Sequence, residues 1–425
     1  MSLSPEQSNP SSPYEVLRNA NLVRYLTGRF IATSGHLMFV MAVGWEIFER
    51  TGSALALGMV GLTMIVPMFL LTLPAGHYAD NHSRRHIIMV AVSIMAVANV
   101  GQALISANQA PVPLIYVCLF VASAARTFMG AAMASFLPQL VERRDFSRAV
   151  TWNTGLFHLS AILGPILGGL LISACHRHAW PVYAINSFAA LTFLLLLSGV
   201  RVKATATLKQ KLTFQNLLTG FNFVFSTRII LGIITLDMFA VLLGGSTALL
   251  PVFAKEILHV GPRWLGLLQA ALPLGAVLCS VYLAHRPPLQ KAGRSLFLAV
   301  ACFGLATIAF GVSKWYWFSF AMLLICGLVD NVSVVVRHTL VQMLTPDEKR
   351  GRVSAVNNLF IGTSNELGEF ESGSVAHLLG PAMGNTIAVG AMLSVVVGGV
   401  GTLIVVGAIA YYWPEIRRYG RLDQF

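Results

Sequence analysis

Ten residues, Gly76-His-Tyr-Ala-Asp80-Asn-His-Ser-Arg84-Arg85, separate two long apolar runs of the chain, 54–75 and 87–105. Each run is long enough to cross a bilayer, since a transmembrane helix needs about 20 mostly apolar residues. The polar segment between them must lie outside the hydrocarbon, because lipid offers no hydrogen-bond partners to loop backbone. The stretch therefore predicts two membrane-spanning helices joined at a membrane surface, and its basic pair indicates the cytosolic surface.

The composition extends this pattern to the whole chain. Of 425 residues, 56% are hydrophobic and only 11% are charged, whereas soluble domains average about 25% charged residues. The net charge of +12 does not indicate nucleic-acid binding, because most basic residues lie in short loops between apolar runs. The five cysteines show no metal-binding spacing. We expect an all-α membrane protein with no metal site, no cofactor and no nucleic-acid partner.

The apolar runs predict twelve transmembrane helices, near 23–47, 53–76, 86–107, 111–136, 150–174, 179–199, 228–253, 264–285, 294–313, 315–341, 352–379 and 383–412. The longest polar gap follows the sixth run and divides the chain into two halves. We expect a cytosolic N-terminal tail (1–22), an N-terminal six-helix bundle (23–199), a cytosolic linker (200–227), a C-terminal six-helix bundle (228–412) and a cytosolic C-terminal tail (413–425).

The distribution of lysine and arginine predicts the orientation. Of the 29 Lys and Arg residues, 21 fall in the segments on the side of the termini and 5 on the opposite side. The remaining three, Arg29, Arg126 and Arg337, lie inside predicted spans. Cytosolic segments carry the excess of basic residues in membrane proteins, so both termini are expected to be cytosolic.

The two halves are similar in sequence. With one gap, a pattern in the first half recurs in the second: Gln139, Arg148, Asn153, Ser160 and Gly164 correspond to Gln342, Arg352, Asn357, Ser364 and Gly368. Internal repeats are typical of transporters that rock one half against the other around a site near the middle of the membrane. We therefore expect two pseudo-symmetric bundles.

Three motifs resemble those of the major facilitator superfamily. The opening segment is similar to the loop signature between helices 2 and 3, with Gly76, Asp80, Arg84 and Arg85 in the matching positions. Arg126-Thr-Phe-Met-Gly130 resembles the arginine–glycine motif of helix 4, and Gly164-Pro165-Ile-Leu-Gly168-Gly169 resembles the antiporter motif of helix 5. The stretches 45–53, 136–140, 346–352 and 365–373 are similar to the bacterial drug and siderophore exporters of that superfamily.

The resemblance implies a fold, a mechanism and roles for several residues. It implies a major facilitator fold in the bacterial inner membrane, with a central cavity lined by helices 1, 4, 7 and 10 and with proton-coupled export. In the family pattern, Asp80 bonds the start of helix 11, near Arg352, and so forms a cytosolic latch. Close helix contact is expected at the glycines and proline of the helix 5 motif, Gly164, Pro165, Gly168 and Gly169, because of their size and shape. The resemblance further implies that this motif is a barrier to proton leak.

Ionisable residues within spans are functional candidates by default, because they are costly in lipid. Arg29, Arg126, Asp237 and Asp330 lie at similar depths in the first, fourth, seventh and tenth helices. We expect these charges to attract across a closed inner gate and to separate when it opens. The alternative is that they pair statically and only fix helix packing. Arg337, near a helix end, is expected to extend to the membrane surface.

Glu366 and Glu369 are candidate proton carriers. Their spacing of three places both carboxylates on one face of helix 11. The alternative is that one of them hydrogen-bonds backbone beside the helix glycines. Glu46, beside Trp45 near the outer end of helix 1, is expected to be solvated at the membrane interface.

These observations predict a transporter and not an enzyme. We expect export of an organic compound, a drug or a siderophore, by alternating access and proton antiport. Ion coupling is expected because the chain lacks the Gly-rich Lys-Ser/Thr loop that binds ATP phosphates. A lipid or lysophospholipid transporter and a metal-ion exporter of the same fold remain open alternatives. The expected partners are a small organic substrate, protons and the lipid bilayer, and the protein is expected to be a monomer.

Overall fold

The computed structural model of the protein describes residues 14–201, 221–245, 247–286, 291–346, 349–382, 386–418 and 420. Within these residues the regular structure is helical, and twelve helices are long. They are α1 (Ala20–Thr51), α2 (Ala54–Asn81), α3 (Arg84–Ala107), α4 (Pro113–Ala134), α5 (Phe146–Ala174), α6 (Trp180–Ser198), α7 (Arg228–Gly244), α8 (Pro262–Ala284), α9 (Ala292–Gly311), α10 (Tyr316–Leu344), α11 (Arg350–Ala382) and α12 (Ile387–Tyr412). A short helix, α13 (Pro414–Arg418), follows.

The prediction of an all-α, multi-pass membrane protein is confirmed. In the described ranges, eleven helical segments are long and apolar enough to cross a membrane. The long helix outside this set is α11, which carries Glu366, Glu369 and Glu371 along its length. The count of twelve spans and the cytosolic position of the termini stay predictions, as do the predicted tail and linker segments, most of which lie outside the described residues.

The join between the first two helices follows from local sequence. Asn19 caps α1 by accepting hydrogen bonds from the backbone N–H groups of Asn21 and Leu22, at 3.0 and 3.3 Å. Gly52 ends the helix with φ of 57°, a left-handed conformation that glycine adopts without strain. Ser53 then caps α2 through the N–H of Ala56. The chain can therefore reverse direction within two residues.

The seventh predicted span is not one continuous helix. α7 ends at Gly244, and a 3-10 turn (Thr247–Leu249), a short helix (Leu250–Val252) and a π-helical turn (Phe253–Ile257) follow. The span predicted at 228–253 lies within the candidate membrane span Arg228–Ile257, but the continuous helix expected there is interrupted after Gly244. Consecutive glycines, Gly244 and Gly245, weaken a helix, and Pro251 lacks the N–H that a continuing helix would need.

The helices pack as two groups that meet along two seams. α1 packs on α5 and α6, and α3 packs on α4 and α6, while α9 packs on α10 and α12, and α8 on α10. The seams between the groups are α2 with α11 and α5 with α8. At the α5–α8 seam the backbones touch, since a Cβ added to Gly266 would lie 2.1 Å from the carbonyl oxygen of Pro165.

The buried apolar side chains show which end of the molecule is closed. Tyr25 and Phe193 belong to a core formed by the first half alone, and Ile233 and Ile416 to one formed by the second half alone. These cores lie at the end where odd-numbered helices start and even-numbered helices finish, which we call the terminal face. At the opposite face, one core joins both halves. The protein is therefore closed at the opposite face and open at the terminal face.

Candidate functional site

A cavity of about 510 Å³ lies within the first half. Its walls come from α1, α3, α4, α5, α6 and the turn after α4. Apolar side chains form most of the lining, including Met95, Met129, Met133, Phe146 and Phe157. α7 and α10, which the resemblance placed around a central cavity, contribute no described residue to this one.

The cavity is positively charged. Arg29 of α1 and Arg126 of α4 both line it, together with His36, and none of its lining residues is acidic. Arg29 donates a hydrogen bond to the hydroxyl of Tyr25 at 3.0 Å. That partner is neutral, so the guanidinium of Arg29 gains no opposite charge from it.

Two asparagines of the cavity wall have unused hydrogen-bonding atoms. Asn99 of α3 is 3% exposed, and its Nδ2 has no hydrogen-bond partner in the described structure. The Oδ1 of Asn153 on α5 is likewise buried and without a partner among the described residues. A buried polar atom without a partner costs about 1–3 kcal/mol. Both residues line the cavity, so a bound molecule is a candidate partner for these atoms.

The predicted proton carriers lie on the α2–α11 seam. A Cβ on Gly61 of α2 would come 2.5 Å from the carbonyl oxygen of Glu366 and 2.9 Å from the Cβ of Glu369. Glu366 interacts electrostatically with Glu369 on its own helix and with Arg126 of the other half. Glu366 and Glu369 thus lie together on the seam, and the charge of Glu366 acts on Arg126 of α4 in the other half.

Asp237 and Arg337 form a buried ion pair inside the second half. The Nη1 of Arg337 on α10 donates to the Oδ1 of Asp237 on α7, and the side chains are 4% and 8% exposed. The prediction that Arg337 extends to the membrane surface was wrong, because the carboxylate on the neighbouring helix holds it inside. In this conformation Asp237 is paired within its own half and not with Arg29 or Arg126.

Asp330 lies apart from this pair. It has no ion pair or hydrogen bond within the described structure, and it interacts electrostatically with Cys326 one turn earlier on α10. Its neighbour Asn331 donates a hydrogen bond to the hydroxyl of Ser280 on α8 at 3.0 Å. The predicted role of Asp330 in the pathway stays a prediction.

The predicted latch is not engaged in this conformation. Within the described ranges Asp80 forms no ion pair with Arg352, and a Cβ on Gly76 would meet no atom within 4 Å. This follows from the open terminal face, since α2 contacts α11 nearer the opposite face, at Gly58 and Gly61. The latch stays a prediction for the state in which this face closes.

The basic pair of the motif has a structural role that the sequence did not indicate. Arg84 donates to the carbonyl of Ser135 at 3.1 Å, and Arg85 donates to the carbonyls of Leu197, at 3.2 Å, and Ser198. These carbonyls lie at the carboxyl ends of α4 and α6, where a positive charge is favourable by about 0.3–1 kcal/mol. The two arginines thus hold three helices of the first half together.

The helix 5 motif lies between α1 and α8. Added Cβ atoms on Gly164 and Gly168 would come 2.7 Å from the Cβ of Leu37 and 3.1 Å from the carbonyl oxygen of Met38, both on α1. One on Gly169 would come 2.3 Å from the carbonyl oxygen of Pro262 on α8. The packing role inferred from the glycines is confirmed, and the barrier to proton leak stays a prediction.

Two charged contacts near the opposite face were not anticipated. Glu49 of α1 and Lys255 of the turn after α7 form a salt bridge of 2.9 Å between the halves, with each side chain 33% exposed. Glu46 was predicted to be solvated, and this was wrong. It is 5% exposed, accepts a hydrogen bond from the Tyr183 hydroxyl at 2.6 Å and pairs with Arg50 at 3.1 Å.

Comparisons with known proteins agree with this architecture. Residues 11–409 match the family model described as transmembrane secretion effector. The enterobactin exporter of Citrobacter koseri is 26% identical over 401 residues, which cover 92% of this chain and 91% of that protein. The enterobactin exporter of Escherichia coli O1:K1 has the same identity and the same coverage of both chains.

Solved structures of transporters share the fold. A bacterial homologue of the human lysosomal transporter Spinster, in an inward-facing and unoccupied conformation, has a TM-score of 0.70 at 16% identity and covers 97% of this chain and 100% of its own. The nucleoside transporter NupG has a TM-score of 0.71 at 13% identity, covering 94% of this chain and 99% of its own. At these identities the likeness concerns the fold alone.

Proposed function

The chain belongs to the transmembrane secretion effector family of major facilitator transporters, and we propose that it exports an organic compound of the drug or siderophore class as a proton antiporter. It is a multi-pass protein of the inner membrane and is not an enzyme. The family supports export, and the two relatives described above are enterobactin exporters.

The transport cycle we propose is alternating access with both termini in the cytosol and twelve spans. The excess of basic residues on the terminal side supports this orientation. The structure would then be the inward-facing state, with its cavity open to substrate in the cytosol. Closing the terminal face and separating the halves at the opposite face would release the substrate outward.

Proton coupling is supported by one observation above the others, the position of Glu366 and Glu369 on the seam between the halves. Glu366 interacts with the charge of Arg126 across that seam. Protonation of Glu366 removes both its attraction to Arg126 and its repulsion from Glu369, and protonation of Glu369 removes that repulsion alone. The protonation state of the pair can therefore change the relative energy of the open and closed arrangements, which is what antiport requires.

We expect neutral variants of this pair to lose proton coupling. In proteoliposomes, Glu366→Gln and Glu369→Gln should abolish transport driven by a pH gradient while retaining exchange of labelled for unlabelled substrate without a gradient. Both reactions need the halves to move, and only the first needs the proton. Glu371→Gln is the matched control, since Glu371 lies on the same helix but interacts with Ser372.

One result of this assay would contradict proton coupling by Glu366 and Glu369. Transport driven by the gradient at the wild-type rate in both Glu366→Gln and Glu369→Gln would exclude the pair from coupling. Loss of transport in Glu371→Gln as well would indicate a general defect of α11.

The substrate class can be tested in a host deleted for its own efflux systems. Expression of the protein should reduce accumulation of some siderophores or amphipathic drugs, and a protonophore should restore it. Movement of fluorescent lipids between leaflets in proteoliposomes, with no effect on the drug and siderophore panel, would instead favour the lipid transporter.

A further inference from the structure

We infer that the cavity of the first half binds an organic anion, with its negative group between Arg29 and Arg126 and its apolar body against the methionine and phenylalanine side chains. This rests on the proposed export function and specifies the substrate class for it. The cavity volume of about 510 Å³ is in the range of pockets for small organic ligands, about 300–1,000 Å³.

The basic residues of the cavity wall favour a ligand of negative charge. Two guanidiniums and one imidazole line the cavity, and no acidic residue does so among those described. A cationic compound would face repulsion there, while a carboxylate could receive paired hydrogen bonds from an arginine. Arginine charges in a membrane interior are costly unless they are paired. Arg29 has a neutral partner, the Tyr25 hydroxyl, so an anion would supply the charge that it lacks.

The neutral groups of the wall also fit a polar ligand head. The buried Nδ2 of Asn99 is a donor without a partner in the described structure, and the buried Oδ1 of Asn153 is an acceptor without one. A substrate with an anionic group and a hydroxyl or amide would satisfy both atoms. Unused atoms of opposite hydrogen-bonding character favour a bound organic molecule over an anion without an O–H or N–H group, such as chloride, which could satisfy only the donor.

The apolar lining determines the rest of the ligand. Met95, Met129 and Met133 have flexible, polarisable side chains that adapt to irregular shapes. Phe146 and Phe157 add aromatic surface from α5. The ligand is therefore amphipathic, with an apolar or aromatic body. Because Arg126 also interacts with Glu366, the anion and this carboxylate are alternative partners of one guanidinium, which connects binding to the proposed proton carrier.

Three probes with one fluorophore test the sign of the charge. Dansylglycine is an anion, dansylamide is neutral and dansylcadaverine is a cation. Their binding to the purified full-length protein in nanodiscs can be measured by fluorescence titration. We expect dansylglycine to bind about 10-fold or more tightly than dansylcadaverine, because a hydrogen bond to a charged group is worth about 1.5–3 kcal/mol. Equal or tighter binding of the cation would overturn the inference. This comparison is made on the wild-type protein alone.

Variants locate the site. Arg126→Gln and Arg29→Gln should each weaken dansylglycine binding about 10-fold and leave dansylamide binding within about 2-fold. Asn99→Leu should weaken both probes, since it removes a neutral donor. Arg263→Gln is the matched charge control, because Arg263 lies over the ring of Trp264 and outside the cavity lining. Unchanged dansylglycine affinity in both arginine variants would place the anion elsewhere and overturn the site.

Transport measurements separate this inference from the export function. If a pH gradient drives export of another compound while dansylglycine fails to bind, the anion site is wrong and the exporter stands. If dansylglycine binds as expected but no gradient moves any substrate, the site stands and proton antiport is wrong.

Discussion

Asp237 and Arg337 form a buried ion pair that joins two helices of the second half. Both side chains are more than nine-tenths buried, and they connect α7 to α10 within one half. Desolvation offsets much of the attraction in such a pair, yet removing one partner leaves an unpaired buried charge. We therefore expect Asp237 and Arg337 to stabilise the packing of the second half.

We expect single and double variants of this pair to differ in stability. Asp237→Asn or Arg337→Gln alone should destabilise the protein by about 3–5 kcal/mol, because each leaves its partner unpaired. The double variant should recover most of that loss, since neither charge remains. Thermal unfolding followed by intrinsic tryptophan fluorescence measures the effect, with transport by the double variant as a second readout.

A stable double variant without transport would contradict the structural role. It would return Asp237 to the transport pathway in which the sequence placed it, beside Arg29, Arg126 and Asp330.

At the scale of the helices, the seam between α2 and α11 depends on glycine. Gly58 and Gly61 of α2 face α11, where an added Cβ on Gly61 would lie 2.5 Å from the carbonyl oxygen of Glu366. Gly373 of α11 faces Gly58 in return, since a Cβ added to Gly373 would lie 2.7 Å from the Cα of Gly58. Hydrogen in place of a side chain lets the two helices approach closely, which brings the glutamates of α11 to the seam.

We expect Gly61→Ala to weaken this seam. The added methyl group has no space beside backbone atoms, so overpacking should destabilise the protein by about 1–3 kcal/mol. Gly407→Ala on α12 is the matched control, because a Cβ there meets no described atom within 4 Å. The control should be neutral or stabilising by up to about 1 kcal/mol, as alanine favours helix. Thermal unfolding of both variants checks this. Equal stability of Gly61→Ala and Gly407→Ala would show that the α2–α11 seam accommodates the added methyl group.

At the scale of the whole molecule, the two faces carry opposing contacts. At the opposite face the halves share one apolar core and the salt bridge between Glu49 and Lys255. At the terminal face the halves have separate cores, and Asp80 lies far enough from Arg352 that the pair is not formed. Each set of contacts is expected to favour the state in which its own face is closed, and the proposed transport cycle exchanges one set for the other.

We expect variants at the two faces to shift the equilibrium in opposite directions. Asp80→Asn would remove the predicted latch of the closed terminal face and should increase the open population, slowing transport while leaving substrate affinity within about 2-fold. Lys255→Gln removes a partly exposed salt bridge worth about 0–1 kcal/mol and should shift the population modestly the other way.

Spin labels at Ser147→Cys and His285→Cys, both exposed and near the terminal ends of α5 and α8, report the opening by their distance distribution. The native cysteines would first be replaced. A large loss of substrate affinity in Asp80→Asn, with turnover unchanged, would show that the loop contacts substrate and is not a latch.

The helices and their boundaries were largely predictable, because they depend on local properties of the chain. Length and apolarity identify spans. Asn19 and Gly52 determine where α1 begins and ends, and Ser53 determines where α2 begins, through their own backbone and side-chain geometry. The error at α7 arose where an apolar run contained Gly244, Gly245 and Pro251. Hydropathy does not distinguish such a run from a continuous helix.

The partners of the charged residues were much less predictable. The sequence singled out Arg29 and Arg126 as charges within spans, and both line the cavity. It also singled out Glu366 and Glu369, which lie on α11 at the seam between the halves. It did not show that Arg126 interacts electrostatically with Glu366, that Arg337 pairs with Asp237 or that Lys255 pairs with Glu49. Each of these interactions joins residues more than 90 positions apart in the chain, or in different halves.

By itself, then, the sequence determined that this chain is an all-α membrane transporter with an internal repeat, because hydropathy, charge bias and motif spacing are properties of consecutive residues. Tertiary structure alone decided which charges meet, which face is closed and where the cavity lies. Those outcomes depend on the rotation of each helix about its axis and on the glycine contacts at the seams. A rotation of one residue, about 100° in an α-helix, moves a side chain from one neighbour to another while leaving the hydropathy profile unchanged.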